Sequence, residues 1–188
     1  LNKNEEKVSS LVNLIMNQAD GNAFYSIQVL QNLYEQRYLY YENKSQSWEW
    51  DAKNIGEIEI PDNIVDLMIK RVIRLDSPTQ ELLKLGSCFG NSFLASDLEL
   101  LTTIPFTEFS QSLIKAQEEG LIFEGQGDFK FAHDRIQQAV YTLIPEDDRT
   151  SIHYKSGLGL LEKYSDEDEK QFYIVDQLNF AQSHVSEK

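Results

Sequence analysis

Hydrophobic positions recur with two different periods along this chain. Leu11, Leu14 and Ile15 sit at helical spacing, and Ala19-Asp20-Gly21-Asn22 then interrupts them, as Asp, Gly and Asn do at turns. Beyond it Phe24, Ile27, Leu30, Gln31 and Tyr34 share one helical face, which Val29 and Leu33 widen. The period changes at Tyr38-Leu39-Tyr40-Tyr41 and Trp48-Glu49-Trp50, two aromatic strand candidates around the polar loop Glu42 to Ser47. This predicts a helix, a turn, a longer helix and a β-hairpin.

Helical spacing returns after Pro61-Asp62, with Ile64, Val65, Leu67, Met68, Val72 and Leu75 inward. Asp76-Ser77-Pro78 breaks that helix and starts another, from Thr79 to about Cys88, followed by Gly90-Asn91 and an extended Ser92-Phe93-Leu94. Ser96 or Asp97 is expected to cap a short helix with Leu98, Leu100 and Leu101. Thr107 is expected to cap another, with Phe109, Leu113, Ile114 and Ala116 inward, ending at Gly120. Leu121 to Glu124, the turn Gly125-Gln126-Gly127-Asp128, and Phe129-Lys130-Phe131 read as a second hairpin. Helix, short strand, helix, helix, hairpin is the winged-helix order.

A helix at Asp134 to Ile144 closes that domain, with Ile136, Ala139, Val140 and Leu143 inward. Pro145 restarts a helix to about Tyr164, Asp166 to Glu169 form an acidic connector, and a last helix carries Phe172, Ile174, Val175, Leu178 and Ala181. Helix pairs with short polar links resemble the first rungs of an α-solenoid. The fold class is therefore mainly α with two small β-hairpins. Residues 1–60 form a helical fragment plus aromatic hairpin, 61–144 a winged helix, and 145–188 the start of a helical repeat region.

Composition narrows the function. The 188 residues carry 17 Lys and Arg against 31 Asp and Glu, a formal net charge of −14, which disfavours nucleic acid. On the helix that would read bases, Lys115 stands alone against Glu108, Glu118 and Glu119. A DNA-binding winged helix is thus the weaker alternative. No apolar run has a membrane span's length, nothing reads as a signal peptide, and a single cysteine, Cys88, fits a reducing cytosol and a buried thiol. A first residue of Leu1 rather than Met is expected of a piece of a longer chain.

There is no phosphate-binding G-x-x-x-x-G-K-[ST] loop, no G-x-G-x-x-G, and no metal spacing among His133, His153 and His184. Gly157-Leu158-Gly159 reads as small-residue helix packing. Two motifs remain. Gly21-Asn22-Ala23-Phe24-Tyr25 lies at a helix N-terminus, where backbone N–H groups and the helix dipole can hold an anion, or else is simply a turn. Phe131-Ala132-His133-Asp134-Arg135 joins the second hairpin to a helix; there His133 can donate to an anion, or serve structurally, and Asp134 is expected to cap.

These motifs, in this order around a winged helix, resemble the signal-transduction ATPases with numerous domains (STAND), a branch of the AAA+ superfamily. The similarity is to the predicted ATPase region of large bacterial sensor histidine kinases and serine/threonine kinases. It is carried by Gly21 to Tyr25, Trp48 to Asp51, Asp62 to Leu67, Thr79 to Leu85 and, above all, Phe131 to Tyr141. The resemblance implies a lid and winged helix that close on ADP or ATP bound, with magnesium, by an upstream P-loop module; this segment alone holds no cofactor. It implies contacts from His133 and Asp134 to the nucleotide's phosphate side and from Gly21, Asn22 and Ala23 to its adenine side. Ala23 stands where the family has proline, and Ala132 where relatives have methionine.

The implied function is a cytoplasmic regulatory module, without catalysis of its own, in a parent ATPase coupled to a protein kinase. Its partners would be the upstream P-loop module and downstream helical repeats of the same chain. The alternative is a protein–protein scaffold, with Tyr154, Tyr164, Phe172 and Tyr173 lining a helical groove.

Overall fold

The computed structural model describes residues 5–19, 21–50 and 64–182. The expected turn residue Asp20, Asp51, the helix opening at Pro61-Asp62, and His184 lie outside the described residues. The chain forms two compact units, Leu1–Leu67 and Met68–Lys188, with one helix, α3, spanning the division.

In the first unit α1 (Glu5–Ala19) packs on α2 (Ala23–Glu35), and α2 packs on a hairpin of β1 (Leu39–Glu42) and β2 (Ser47–Trp50). The strands run antiparallel with Leu39 opposite Trp50 and Tyr41 opposite Trp48. Trp48 lies edge-on to Tyr41 at 5.6 Å and to Tyr34 at 5.7 Å, a cross-strand cluster that favours this register. The buried stripe of α2 differs from the expected one. It is Tyr25, Gln28, Val29, Asn32 and Leu33, while Ile27 and Tyr34 are exposed. Both stripes keep helical spacing; the structure chooses the one with two amides, and Asn32 satisfies its side chain by accepting from Gln36 Nε2 at 2.8 Å.

The second unit contains the expected helix, strand, helix, helix, hairpin order. After α3 (Ile64–Val72), Asp76 caps α4 (Ser77–Ser87) by accepting from the Thr79 N–H at 2.9 Å. Then follow β3 (Ser92–Phe93), α5 (Ala95–Leu98), α6 (Phe106–Glu118), β4 (Ile122–Glu124) and β5 (Phe129–Phe131). The sheet is antiparallel in the order β3-β5-β4, and Gly120 and Gly127 take left-handed φ values of 65° and 95° at its turns. Leu82, Leu83, Phe93, Leu98, Leu121 and Phe131 fill the core between this sheet and the helices. Gly86 makes room there: a Cβ on it would come within 2.8 Å of the Phe93 ring.

The chain continues through α7 (Asp134–Thr142), α8 (Glu146–Lys163), a 3-10 turn at Asp168–Lys170 within the acidic connector, and α9 (Gln171–Phe180). α8 and α9 pack along one another, and Gly157 admits the Leu178 side chain into a space that a Cβ would fill. Small-residue packing was the expectation here. Three helix starts differ from expectation. α5 begins after Leu94 and α6 after Pro105, neither with a side-chain cap, and α7 is capped by His133, not by Asp134. The inward sets also change: Ile114, Phe172 and Val175 face outward, while Ile174 and, just past α9, Ala181 are buried as expected and Gln177 joins them.

Candidate functional site

The first candidate group is a turn between two helices. Gly21 takes φ 76°, and the space where its Cβ would stand is open. The Asn22 N–H donates back to the Ala19 carbonyl at 2.8 Å, while Asn22 Oδ1 accepts from the Tyr25 N–H at 3.0 Å. Ala23 opens α2 and is exposed. Asn22 therefore acts as the helix cap, and its side-chain oxygen is committed to that task. Gly21 and Ala23 leave an uncrowded backbone at a positive helix end.

The second group is the corner between β5 and α7. His133 has extended backbone (φ −157°, ψ 149°) and accepts from the Arg135 N–H through Nδ1 at 3.2 Å. Side-chain oxygens of Ser, Thr, Asn or Asp usually serve here, so an imidazole cap has a chemical consequence. A ring whose Nδ1 accepts carries its proton on Nε2, and Nε2–H is a donor that an anion can use. Asp134 Oδ1 lies against the same Nδ1. The carboxylate and the Arg135 N–H thus meet the ring at the same nitrogen. Asp134 is exposed and complements the positive end of α7. An incoming phosphate would meet this carboxylate as well as the ring.

The five residues expected to meet a nucleotide fall into both units: Gly21, Asn22 and Ala23 in the first, His133 and Asp134 in the second. Each group is a helix N-terminus with a polar cap, and each can face an anion within its own unit.

The strongest polar centre of the second unit was read from sequence only as a helix cap. Asp97 has no exposed surface. Its Oδ1 accepts from Lys163 Nζ at 2.8 Å and Tyr164 Oη at 2.7 Å, and its Oδ2 from Tyr173 Oη at 3.1 Å. One carboxylate thus ties α5 to α8, to the residue that ends α8, and to α9. Burial lowers the Lys163 pKa, but the bonds to Asp97 and Tyr164 and their charges together outweigh it and the net shift is upward. Burial raises the hydroxyl of Tyr173, with Asp97 adding to the effect. Tyr164 and Tyr173 are thereby drawn to Asp97, while Phe172 is 85% exposed, so these three do not line a common groove. The sequence signal was a lone Asp among apolar residues, with two tyrosines and a lysine far downstream.

His153 lies between Tyr141 Oη, 3.1 Å from Nε2, and Gln177 Oε1, 2.8 Å from Nδ1. Burial lowers its pKa, and the Gln177 bond only partly opposes this. Burial also pushes the Cys88 thiol up to about 12, which keeps it protonated, as expected of an inert buried thiol. Among the described residues there is no cluster of three or more His, Cys, Asp or Glu that could hold a metal ion. No described helix is long and apolar enough to cross a membrane.

The chain is similar to a hybrid signal transduction histidine kinase (kinase G) of Dictyostelium discoideum, with 27% identity over 206 aligned positions. That alignment takes in 87% of this chain but only 6% of the kinase, so the chain spans a small fraction of this curated relative. No protein-family profile and no solved structure matches the chain.

Proposed function

We propose that this chain is a regulatory segment of a multidomain signal-transduction protein. It senses the ADP or ATP held by an upstream P-loop module and relays that state to a kinase output. It supplies no catalytic group of its own. The observation that carries the reading is the likeness of most of the chain to a short segment of a much larger signalling kinase. The corner at His133 supports its finer part, because an imidazole whose Nδ1 accepts the cap carries its N–H on Nε2, a donor type that suits a phosphate oxygen. The donor set suits a phosphate and not a metal, so magnesium would come with the nucleotide from the upstream module.

In this reading the helix, strand, helix, helix, hairpin body is a winged helix used as an internal contact surface. The preponderance of acid on α6 suits that use better than duplex DNA. The segment works in the cytoplasm between the upstream module and the helical repeats that follow α9. ADP favours the closed arrangement through contacts it makes in that state only, and exchange for ATP shifts the population to the open one.

The test is His133→Ala in the full-length protein, followed through ADP retention and downstream phosphorylation. Faster ADP loss with raised output is expected; unchanged retention and output would overturn the reading. Titrating ADP into the upstream module with and without this segment separates sensing from scaffolding. A scaffold would leave the ADP affinity unchanged.

A further inference from the structure

We propose that the cleft bounded by the end of α4, α7, α8 and α9 is a binding site for a small organic ammonium ion. The cleft holds about 360 Å³, in the range of small-ligand pockets. Two ring pairs face it. Phe89 and Tyr173 lie 5.8 Å apart and tilted by 36°, and His153 and Phe180 stack at 4.9 Å.

The hydrogen bonds in its wall have only one consistent direction. Gln177 Nε2 donates to the Cys88 carbonyl at 3.1 Å, which turns Gln177 Oε1 toward His153. His153 Nδ1 must then carry the proton and donate it. Its Nε2 is left as an acceptor, so Tyr141 Oη donates to it. On the far side, Gln137 Nε2 donates to the Ser87 carbonyl at 2.7 Å.

The wall thus spends most of these donors on itself. Besides the second N–H of each amide, it offers a ligand the lone pairs of Tyr141 Oη, the exposed Asp176 carboxylate and the faces of the aromatic rings. His153 is buried as the neutral ring, and Cys88 remains a thiol, so Asp176 is the one charged group in the lining. Arg149 lies beside the wall: its guanidinium covers the Tyr141 ring at 4.6 Å and is held by the Ile144 carbonyl at 2.8 Å. That ring is therefore taken, as is that of Tyr173, over which Lys170 Nζ lies 5.6 Å from the centroid, so Phe89 and Phe180 remain for the ligand.

An electron-rich, ring-walled cleft with one carboxylate complements a positive charge spread over methyl or methylene groups. An anion would meet Asp176 and a row of acceptors. A neutral apolar molecule would gain nothing from either. This site is separate from the His133 corner and stands whether or not nucleotide is sensed there.

The experiment titrates choline into the 188-residue chain, following the His153 and tyrosine ring signals by NMR. Its uncharged isostere 3,3-dimethylbutan-1-ol is the control. Saturable shifts with choline are expected, with binding of the isostere weaker by about tenfold, the worth of a cation over partly desolvated rings. Asp176→Asn, at an exposed position, should weaken choline by about threefold and leave the isostere unchanged. Phe180→Leu should weaken choline more than the isostere. Equal binding of the two molecules would show an apolar cleft without charge selection, and absence of saturable shifts with choline would show no site; either overturns the proposal.

Discussion

His133 stands at the start of α7 with about a third of its side chain in solvent, whereas His153 lies within the α8–α9 pair and is 2% exposed. Each ring accepts one hydrogen bond, from the Arg135 backbone N–H and from the Tyr141 hydroxyl respectively. The tautomers are opposite: the cap places the proton of His133 on Nε2, while Gln177 places that of His153 on Nδ1. Both nitrogens of His153 are engaged inside the unit, so its chemistry goes into cohesion. His133 uses Nδ1 to start a helix at a partly exposed position. The difference teaches that the same ring can serve cohesion or a helix start, according to which nitrogen accepts.

The sharpest way to break the contrast is to remove each ring. His153→Ala leaves a cavity and strips partners from Tyr141 and Gln177, so a loss of about 3 kcal/mol is expected in urea unfolding. A loss below about 0.5 kcal/mol would place His153 outside the cohesive set.

Tyr173→Phe probes the neighbouring anchor. It deletes the hydroxyl donor to Asp97 Oδ2 and leaves that buried oxygen one partner short, for a cost of about 1 kcal/mol. A shift no larger than that of an exposed control such as Tyr40→Phe would show that Lys163 and Tyr164 suffice.

Acid titration probes His153. The folded pKa of His153 lies below its ordinary 6.5, chiefly through burial. Its contribution is complete above that value. It declines as the pH falls, because the unfolded chain then binds a proton that the folded chain refuses. Stability measured at about pH 7 and pH 5 should therefore fall less in His153→Gln than in the parent.

The smallest effect is that of His133→Ala on folding, about 0.5 kcal/mol for an exposed cap. His133→Ser should recover it. A change in ADP retention far beyond what this folding loss explains would set the two histidines apart in function as well as in placement.

The order of elements was legible because its punctuation is local. Asp76 with Pro78, the Gly21-Asn22 turn and the glycines around β4 and β5 act within a few residues. What sequence did not reveal depends on distant partners. Asp97 reads as a cap, yet Lys163, Tyr164 and Tyr173 make it a buried acceptor. Gln177 reads as surface, yet it bridges His153 and the Cys88 carbonyl. The stripe of α2 differs for another reason: burying Gln28 and Asn32 contradicts hydropathy, although the partner of Asn32, Gln36, is only a turn away. At the candidate site the motif around His133 was visible, but the capping role passed from Asp134 to the ring. No spacing rule could show that, since it depends on where the chain turns out of β5.

The glycine at position 157 has a mechanical consequence. Because Leu178 occupies the recess it leaves, the two C-terminal helices are keyed like a shaft in its slot. Sliding α9 along α8 by one turn, about 5.4 Å, would bring Leu178 against Tyr154 or Leu161, neither of which leaves a recess. Gly159 provides no second slot, since its Cβ position meets only ordinary contact with Leu100. The pair has a single axial setting, and a push delivered at one end of α9 would travel to the other as rigid displacement, not as slippage.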